Sequence, residues 1–262
     1  MKHKILILGS RGYIGRNLNK FLDSRADIYS HPRGAEAVSE NLARTRPNVI
    51  INSSASGLND SFEDSINANF LYQTEFLKYA MTSEMRLTWI QLSSYYELQI
   101  PMGRSDFYSK SKDVFRKLLY DLNEKGLIDV KNVFLPHVFG LDERPSRLIP
   151  SIRKVQINNS KVEFSNGMQF VPLLHVSDAC NAIWSAINSN LVDNSATPIW
   201  YGRIQELVDS LLKPSLRPLV EFNSTKVEVD DSFSKVDFPS AVPGWNANYL
   251  FENLLQDFKT RN

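Results

Sequence analysis

A phenol and an ammonium group stand four residues apart near the middle of the chain, at Tyr108 and Lys112. Residues at this spacing lie on one face of a helix, one turn apart. An ammonium about 4 Å from a phenol favours the phenolate by about 4 kcal/mol at an effective dielectric constant of about 20. That attraction lowers the pKa of the phenol toward neutral pH, where general acid–base catalysis is most effective. The pair therefore predicts a group that gives a proton to a substrate oxygen.

Two serines supply a candidate third member of this site. Ser93 and Ser94 follow the apolar run 87–92, which we predict to be a strand ending where a parallel sheet presents catalytic side chains. Successive strand residues point to opposite faces, so one serine enters the cleft, and we assign that position to Ser94. Its hydroxyl would bind a carbonyl oxygen and share the developing charge. The alternative is a helix that merely buries Tyr108, since a tyrosine and a lysine often have this spacing by chance.

Three glycines spaced by three residues follow the apolar run 5–8 near the N-terminus. Gly9 permits a tight turn after a strand, Gly12 lets the backbone approach a pyrophosphate, and Gly15 packs the following helix onto the sheet. The N-terminus of that helix adds unpaired N–H groups and a partial positive charge. The commonest fingerprint spaces its glycines by two and three, so a glycine-rich turn in another α/β protein is the alternative. We predict a dinucleotide site formed by Gly9, Ser10, Arg11, Gly12, Tyr13, Ile14 and Gly15.

The residues after the second predicted strand favour NADP (NADPH) over NAD. An NAD site usually carries an acid there that binds the ribose 2′-hydroxyl. This stretch, 29–33, has no acid, and Asp27 comes too early. Arg11 and Arg33 are candidates to bind a 2′-phosphate, although both are also explained as solvated arginines. A dinucleotide site followed by a proton-transfer site predicts a nicotinamide-dependent oxidoreductase.

Apolar runs alternate with helical patterns over the first 140 residues. Strands are predicted at 4–8, 26–29, 48–52, 87–92 and 130–135, and helices at 13–24, 35–46, 62–82 and 106–125. This alternation predicts an α/β fold, a Rossmann-type doubly wound parallel sheet. We expect a dinucleotide-binding domain over 1–140 with a returning segment at about 175–202.

The pattern changes after Gly140 and predicts a small C-terminal lobe that binds the substrate, over 141–174 and 203–262. Residues 162–164 followed by Asn166-Gly167 predict a hairpin, and 226–229 a strand. Helices are predicted from about 175 to 189, from about 203, and from about 246.

Composition excludes several other classes of protein. The chain has 262 residues, 42% hydrophobic content and a formal net charge of +1, so no excess of charge favours nucleic acid or an anionic membrane. The single Cys180 suits a reducing compartment, and no apolar run reaches transmembrane length. The four histidines lack the spacing of metal ligands. We expect a cytoplasmic protein without a metal, a nucleic-acid partner or a membrane partner.

These motifs resemble those of the extended short-chain dehydrogenase/reductase family, in its branch of nucleotide-sugar epimerases, dehydratases and ketoreductases. The resemblance covers nearly the whole chain. The motifs that carry it are the glycine loop 9–15, Pro47-Asn48-Val49-Ile50-Ile51-Asn52, Asn69, Ser94, Tyr108 with Lys112, Val138-Phe139-Gly140, His175-Val176-Ser177-Asp178 and Gly244-Trp245.

The resemblance implies further contacts with the cofactor and with a nucleotide sugar held between the sheet edge and the lobe. The implied cofactor contacts are Ser54 and Ala55 on the adenosine side, with Asn69, Tyr108, Lys112 and Pro136. The implied substrate contacts are Ser94, His137, Arg147 and Arg153, although the two arginines and Lys154 are equally well explained as solvated charges. Members of the family often dimerise through the helices that correspond to 62–82 and 106–125, where Tyr72, Phe76 and Leu118 face either a partner or the sheet.

Departures from the family pattern narrow the reaction. Tyr95 and Tyr96 stand where a 4,6-dehydratase has Asp-Glu, and Cys180 is predicted far from Ser94, unlike the cysteine of a combined epimerase/reductase. His137 replaces the usual asparagine. We expect NADPH-dependent reduction of a nucleotide-linked 4-keto-6-deoxyhexose, as in lipopolysaccharide O-antigen biosynthesis. The alternatives are an NAD-dependent nucleotide-sugar 4-epimerase, a non-catalytic NADP-binding regulatory member of the same fold, and an unrelated α/β protein such as a methyltransferase.

Overall fold

The computed structural model of the chain describes residues 2–31, 38–82, 87–223 and 234–260. Two of the predictions above, Arg33 as a phosphate ligand and the strand at 226–229, lie outside these ranges. No helix within the described ranges combines the length and apolar character that crossing a bilayer requires.

Strands and helices alternate along the chain. The strands are β1 (Lys4–Leu8), β2 (Asp27–His31), β3 (Val49–Asn52), β4 (Thr88–Ser94), β5 (Asp129–Leu135), β6 (His137–Phe139), β7 (Val162–Phe164), β8 (Phe170–His175), β9 (Asp193–Ser195), β10 (Trp200–Arg203) and β11 (Val220–Phe222). The helices are α1 (Tyr13–Leu22), α2 (Val38–Thr45), α3 (Phe62–Ile66), α4 (Tyr72–Thr82), α5 (Phe107–Glu124), α6 (Leu148–Asn158), α7 (Val176–Ala186), α8 (Ile204–Leu211) and α9 (Phe251–Thr260). A π-helical turn, Asn67–Leu71, joins α3 to α4, and 3₁₀ turns span Glu97–Met102 and Arg217–Leu219.

Six parallel strands form the central sheet, in the order β2-β1-β3-β4-β5-β9. Their apolar runs are continuous because helices cover both faces of such a sheet, and every residue of β3 is buried. The strand order reverses between β1 and β3, and ligands of doubly wound sheets bind at the carboxyl ends of the strands beside that point. The predicted α/β fold with a Rossmann-type doubly wound sheet is confirmed.

The predicted helix over 62–82 is interrupted in its middle by the π turn. Its second half, α4, packs on a core cluster that contains the fully buried Phe76, Trp89 and Phe115. Tyr72 and Leu118 pack against the same cluster. Of the two orientations left open for Tyr72, Phe76 and Leu118, the one toward the core is confirmed for Phe76, which is fully buried, while Tyr72 and Leu118 are only partly buried.

The predicted hairpin after residue 162 is wrong. The strand β7 pairs in parallel with β11, while β8 pairs antiparallel with β10 and in parallel with β6. The physical reason is a difference in burial: Val171, Leu173 and Leu174 of β8 are buried and take the interior pairing, whereas β7 has no fully buried residue. The last helix starts at Phe251, later than the predicted 246.

The chain divides into two compact units. The first consists of Met1–Leu135, Ala179–Ala196 and Phe238–Trp245, and contains the parallel sheet. The second consists of Pro136–Asp178, Thr197–Asp237 and Asn246–Asn262, and has its own core cluster, which includes Phe139, Leu173 and Phe258. That the second unit binds the substrate stays a prediction.

Candidate active site

The glycine loop turns directly from β1 into α1. Gly9 has a φ of +75°, in the left-handed region that favours glycine, and the Gly12 N–H donates to its carbonyl at 2.9 Å. A Cβ on Gly9 would lie 2.6 Å from Ser54 Cα, and one on Gly15 would lie 2.3 Å from Gly9 O. Gly12 is the N-cap of α1 and makes no side-chain cap, so the first N–H groups of the helix stay available to an anion.

A cavity of about 290 Å³ opens at the carboxyl ends of β1, β2 and β3. Its walls are formed by Gly9, Ser10, Arg11, Gly12, His31, Ser53, Ser54, Ala55 and Tyr72. The structure thus brings the predicted residues Gly9 to Gly12, Ser54 and Ala55 together. Tyr13, Ile14 and Gly15 lie in the first turn of α1 and do not line this cavity.

His31 and Tyr72 were missed by the sequence reasoning. His31 is the last residue of β2, in register with Leu8, and Tyr72 Oη donates to its carbonyl at 3.0 Å. The signal for His31 in the sequence is its place at the end of the second strand, where an NAD site usually carries an acid. No acidic side chain is among the described residues that line the cavity.

Asn69 lies in the π turn and does not line the cavity. Its Oδ1 accepts from Ser56 N at 3.0 Å, and its Nδ2 donates to the hydroxyls of Ser56 and Ser111, each at 2.9 Å. It therefore joins the loop after β3 to α5. This placement gives the predicted cofactor residue a bracing role within the first unit.

Lys112 joins α5 to the end of β4. Its Nζ donates to Leu92 O at 2.7 Å and lies 5.7 Å from the centre of the Tyr108 ring. Burial lowers the pKa of Lys112, and the carboxylate of Glu97 opposes that shift. Ser94 is two residues beyond Leu92 on the same strand. The structure thus brings Ser94, Tyr108 and Lys112 to the carboxyl end of one strand.

Ser94 is positioned through its backbone and its hydroxyl. Its N–H donates to Glu97 Oε1 at 2.7 Å, and its Oγ accepts from Tyr96 N at 3.3 Å. Ser93, on the opposite face of the strand, has a buried Oγ without a hydrogen-bond partner among the described residues. This difference is consistent with the assignment of Ser94.

Glu97 is a further residue of the site that the sequence did not reveal, because the sequence alone does not predict that an acid is buried. Its side chain is fully buried, and Arg116 Nε donates to its Oε2 at 3.1 Å. Burial raises the pKa of Glu97, while Lys112, Arg116 and the Ser94 N–H act in the opposite direction.

The segment between β4 and α5 fixes the start of the helix that carries Tyr108. Asp106 is the N-cap of α5 and accepts from Ser109 N at 2.8 Å. The buried Arg104 donates from Nε to Asp106 Oδ2 at 2.5 Å and lies 4.0 Å above the Tyr96 ring. Tyr96 in turn meets the Tyr108 ring edge to face, with centroids 6.3 Å apart.

Two of the predicted substrate residues of the second unit, His137 and Arg147, lie near the carboxylate of Glu143. His137 begins β6 beside the buried Pro136, and its Nε2 lies 3.8 Å from Glu143 Oε1. Burial lowers the pKa of His137. The exposed Arg147 has its Nε 3.5 Å from the same carboxylate.

Arg153 is placed differently from Arg147. Its guanidinium lies 5.1 Å above the Phe258 ring, a member of the second unit's core cluster.

Cys180 is buried in α7, where burial raises its pKa to about 12. No group of three potential metal ligands occurs within the described part of the chain.

A family model described as "NAD dependent epimerase/dehydratase family" matches residues 5–197. The chain belongs to this family. As a member of the NAD-dependent epimerase/dehydratase family it is an NAD(P)-dependent enzyme. No curated protein matches the chain.

Several solved structures share the fold of this chain. A dTDP-glucose 4,6-dehydratase from Bacillus anthracis in complex with NAD is 16% identical, with a TM-score of 0.76 over 98% of this chain and 95% of that chain. RMD from Pseudomonas aeruginosa complexed with NADPH is 14% identical, with a TM-score of 0.74 over 98% and 100%. A UDP-glucose 4-epimerase from Thermotoga maritima with UDP-glucose is 14% identical, with a TM-score of 0.77 over 98% and 97%. At these identities the likeness establishes the fold.

Proposed function

We propose that this member of the family is an NADPH-dependent reductase of a nucleotide-linked 4-keto-6-deoxyhexose. The observation that carries the proposal is the placement of Lys112, which is buried, bonded to Leu92 O, and 5.7 Å from the Tyr108 ring. An ammonium so placed serves a phenol that must carry negative charge during a reaction.

The glycine loop fits a bound dinucleotide. The backbone around Gly9 and Gly15 is packed so closely that a Cβ at either position would overlap it. The N–H groups at the N-terminus of α1 are available to bind a pyrophosphate. Ser54 and Ala55 line the cavity on the adenosine side of such a ligand. When bound there, NADPH supplies a hydride.

The chain's own residues perform the proton chemistry in this proposal. Tyr108 gives its proton to the ketone oxygen as that oxygen becomes an alkoxide. The Lys112 ammonium, 5.7 Å from the centre of the Tyr108 ring, attracts the resulting phenolate and so favours the transfer. The Ser94 hydroxyl donates a hydrogen bond to the same oxygen and stabilises its charge.

The cavity supports NADPH over NADH as the cofactor. Arg11 and His31 lie on its wall, and no acid is among its described lining residues. A carboxylate would bind the ribose 2′-hydroxyl of NAD and would repel a 2′-phosphate, whereas a guanidinium binds phosphate. One structure of the same fold, RMD, is complexed with NADPH.

A nucleotide-sugar substrate, in the context of surface-polysaccharide synthesis, is the finer part of the proposal. Two proteins of the same fold have names that specify dTDP-glucose or UDP-glucose. Tyr95 and Tyr96 follow Ser94 here, and neither side chain is an acid that would help to eliminate water. We further propose that His137, Arg147 and Arg153 contact the substrate from the second unit.

Separate titrations with NADPH and NADH test the cofactor preference. Cofactor fluorescence is followed in the wild-type protein, in Arg11→Ala, and in Arg144→Ala, which removes the same charge from an exposed position outside the cavity. We expect tighter binding of NADPH than of NADH, and a loss of NADPH affinity in Arg11→Ala alone. Preference for NADH, or cofactor that co-purifies and does not exchange, would support the 4-epimerase. Absence of binding to either cofactor would refute the oxidoreductase.

A further inference from the structure

A buried carboxylate holds the strand end that carries Ser94. Glu97 accepts from the Ser94 N–H at Oε1, 2.7 Å away, and from Arg116 Nε at Oε2, 3.1 Å away. Its side chain is fully buried. Each carboxylate oxygen therefore has a donor, one on β4 and one on α5, and the carboxylate links the two elements.

The side chain of Lys112 reaches the same strand two residues earlier. Its Nζ donates to Leu92 O at 2.7 Å, and the side chain is buried. Lys112 and Glu97, which carry opposite charges, thus bind the β4 backbone two residues apart, at Leu92 O and the Ser94 N–H. Both side chains hydrogen-bond to the backbone of the strand end that carries Ser94, although they are distant from each other in sequence.

Burying an ammonium without a counter-charge is unfavourable, because the charge loses its hydration. Among the described residues, the acidic group that acts on Lys112 is Glu97, and this attraction opposes the effect of burial on the Lys112 pKa. Because Glu97 and Lys112 bind β4 at backbone groups two residues apart, each of these buried charges lies near one of opposite sign.

The other charged and titratable groups linked to this pair lie on α5 and β9. On α5, Arg116 contacts both Glu97 and Asp113, and its Nη1 donates to Tyr120 Oη at 2.8 Å. On β9, Asp193 accepts from Tyr120 at 2.6 Å. The contacts that β4 makes with the pair are backbone groups, and the ring of Tyr108 faces Lys112 from the same helix.

We propose that Glu97 is a positioning residue for the reaction: its carboxylate keeps Lys112 in the ammonium form at the end of β4, and so keeps a positive charge beside Tyr108. This inference rests on the function proposed for Tyr108 and Lys112. Glu97 itself does not touch the reacting atoms. It acts through Lys112 and through the backbone of Ser94.

The proton affinity of Lys112 is the quantity that tests this role. The ¹³Cε resonance of Lys112, identified by its loss in Lys112→Met, is followed against pH in the wild-type protein and in Glu97→Gln. We expect Lys112 to lose its proton about one pH unit or more lower in the variant, the size typical of removing a nearby opposite charge. Asp113→Asn is the matched control, because it removes a carboxylate that contacts Arg116 and should leave the Lys112 titration where it is. A Glu97→Gln titration that coincides with the wild type, or moves to higher pH, overturns the proposal.

A reciprocal titration covers the case in which Glu97→Gln does not fold. The ¹³Cδ resonance of Glu97 is followed in Lys112→Met, where the same coupling should move its titration to higher pH by a similar amount. An unchanged Glu97 titration overturns the proposal. Both experiments use the protein without cofactor or substrate, so they decide the role of Glu97 independently of NADPH assays, whose failure would count against the proposed function.

Discussion

Replacement of Gly15 by alanine tests the packing that the glycine loop imposes on the fold. The new Cβ would lie 2.3 Å from Gly9 O and 2.7 Å from Ser10 Cα. Both contacts are with backbone, so no side-chain rotation relieves them, and α1 must move away from the loop. Alanine gains about 1 kcal/mol in helix propensity, and overpacking costs about 1–3 kcal/mol. Because the overlap is with rigid atoms, we place its cost at the upper end and expect a net loss of about 2 kcal/mol.

The assay is urea-induced unfolding, with NADPH affinity measured on the same samples. Gly12→Ala is the control, since its Cβ would lie 3.1 Å from Gly9 O, with the backbone at a φ of −69°. We expect the control to stay within about 1 kcal/mol of the wild type, the size of an N-cap effect, and to lose NADPH affinity because a methyl group would stand where the pyrophosphate approaches. A Gly15→Ala protein with the stability and NADPH affinity of the wild type would refute this reasoning.

Three further outcomes follow from side chains around the site. Burial and the hydrogen bond to Asp193 raise the pKa of Tyr120 to about 12. The protonated phenol therefore stabilises the fold fully below about pH 10, the pKa of a free tyrosine, and this stabilisation is lost as the pH rises toward 12. Between about pH 10 and 12, Tyr120→Phe should thus lose less stability than the wild type in urea unfolding, and equal losses would contradict this expectation. Because burial raises the pKa of Cys180 to about 12, iodoacetamide at pH 8 should modify the thiol of the folded protein far more slowly than that of the unfolded protein. Cys180→Ala should retain NADPH turnover, and a loss of turnover would show that the cysteine takes part in catalysis. Asn69→Ala leaves the partners of its amide unpaired and should cost about 1–3 kcal/mol in the free energy of unfolding, whereas unchanged stability would show that the π turn does not depend on this side chain.

The parallel sheet was predictable because its strands are short apolar runs bounded by helices. A strand such as β3 is buried along its whole length, and a continuous apolar run directly reports that burial. The glycine spacing was informative for the same reason, since close backbone contacts at Gly9 and Gly15 exclude other side chains. The apolar runs and the contact of Gly15 with Gly9 depend on residues near in sequence, whereas Gly9 also packs against the distant Ser54.

Features that depend on distant partners were not predictable from local pattern. The hairpin predicted after residue 162 failed because β7 pairs with β11, whose residues lie far along the chain. The π turn at Asn67–Leu71 has no propensity signal, and its polar contacts reach as far as Ser111. Glu97 was overlooked because sequence alone does not distinguish an acid on the surface from one buried against Lys112 and Arg116.

The central claim is reduction of a sugar ketone by hydride from NADPH with Tyr108 as the proton donor. The most direct measurement is oxidation of NADPH deuterated at C4 of the nicotinamide, with dTDP-, CDP- and GDP-linked 4-keto-6-deoxyhexoses offered in turn. We predict stoichiometric oxidation with one of them, deuterium at C4 of the product sugar, and a loss of at least about 100-fold in rate in Tyr108→Phe. Conversion of a sugar without net oxidation of NADPH, or full activity in Tyr108→Phe, would contradict the account.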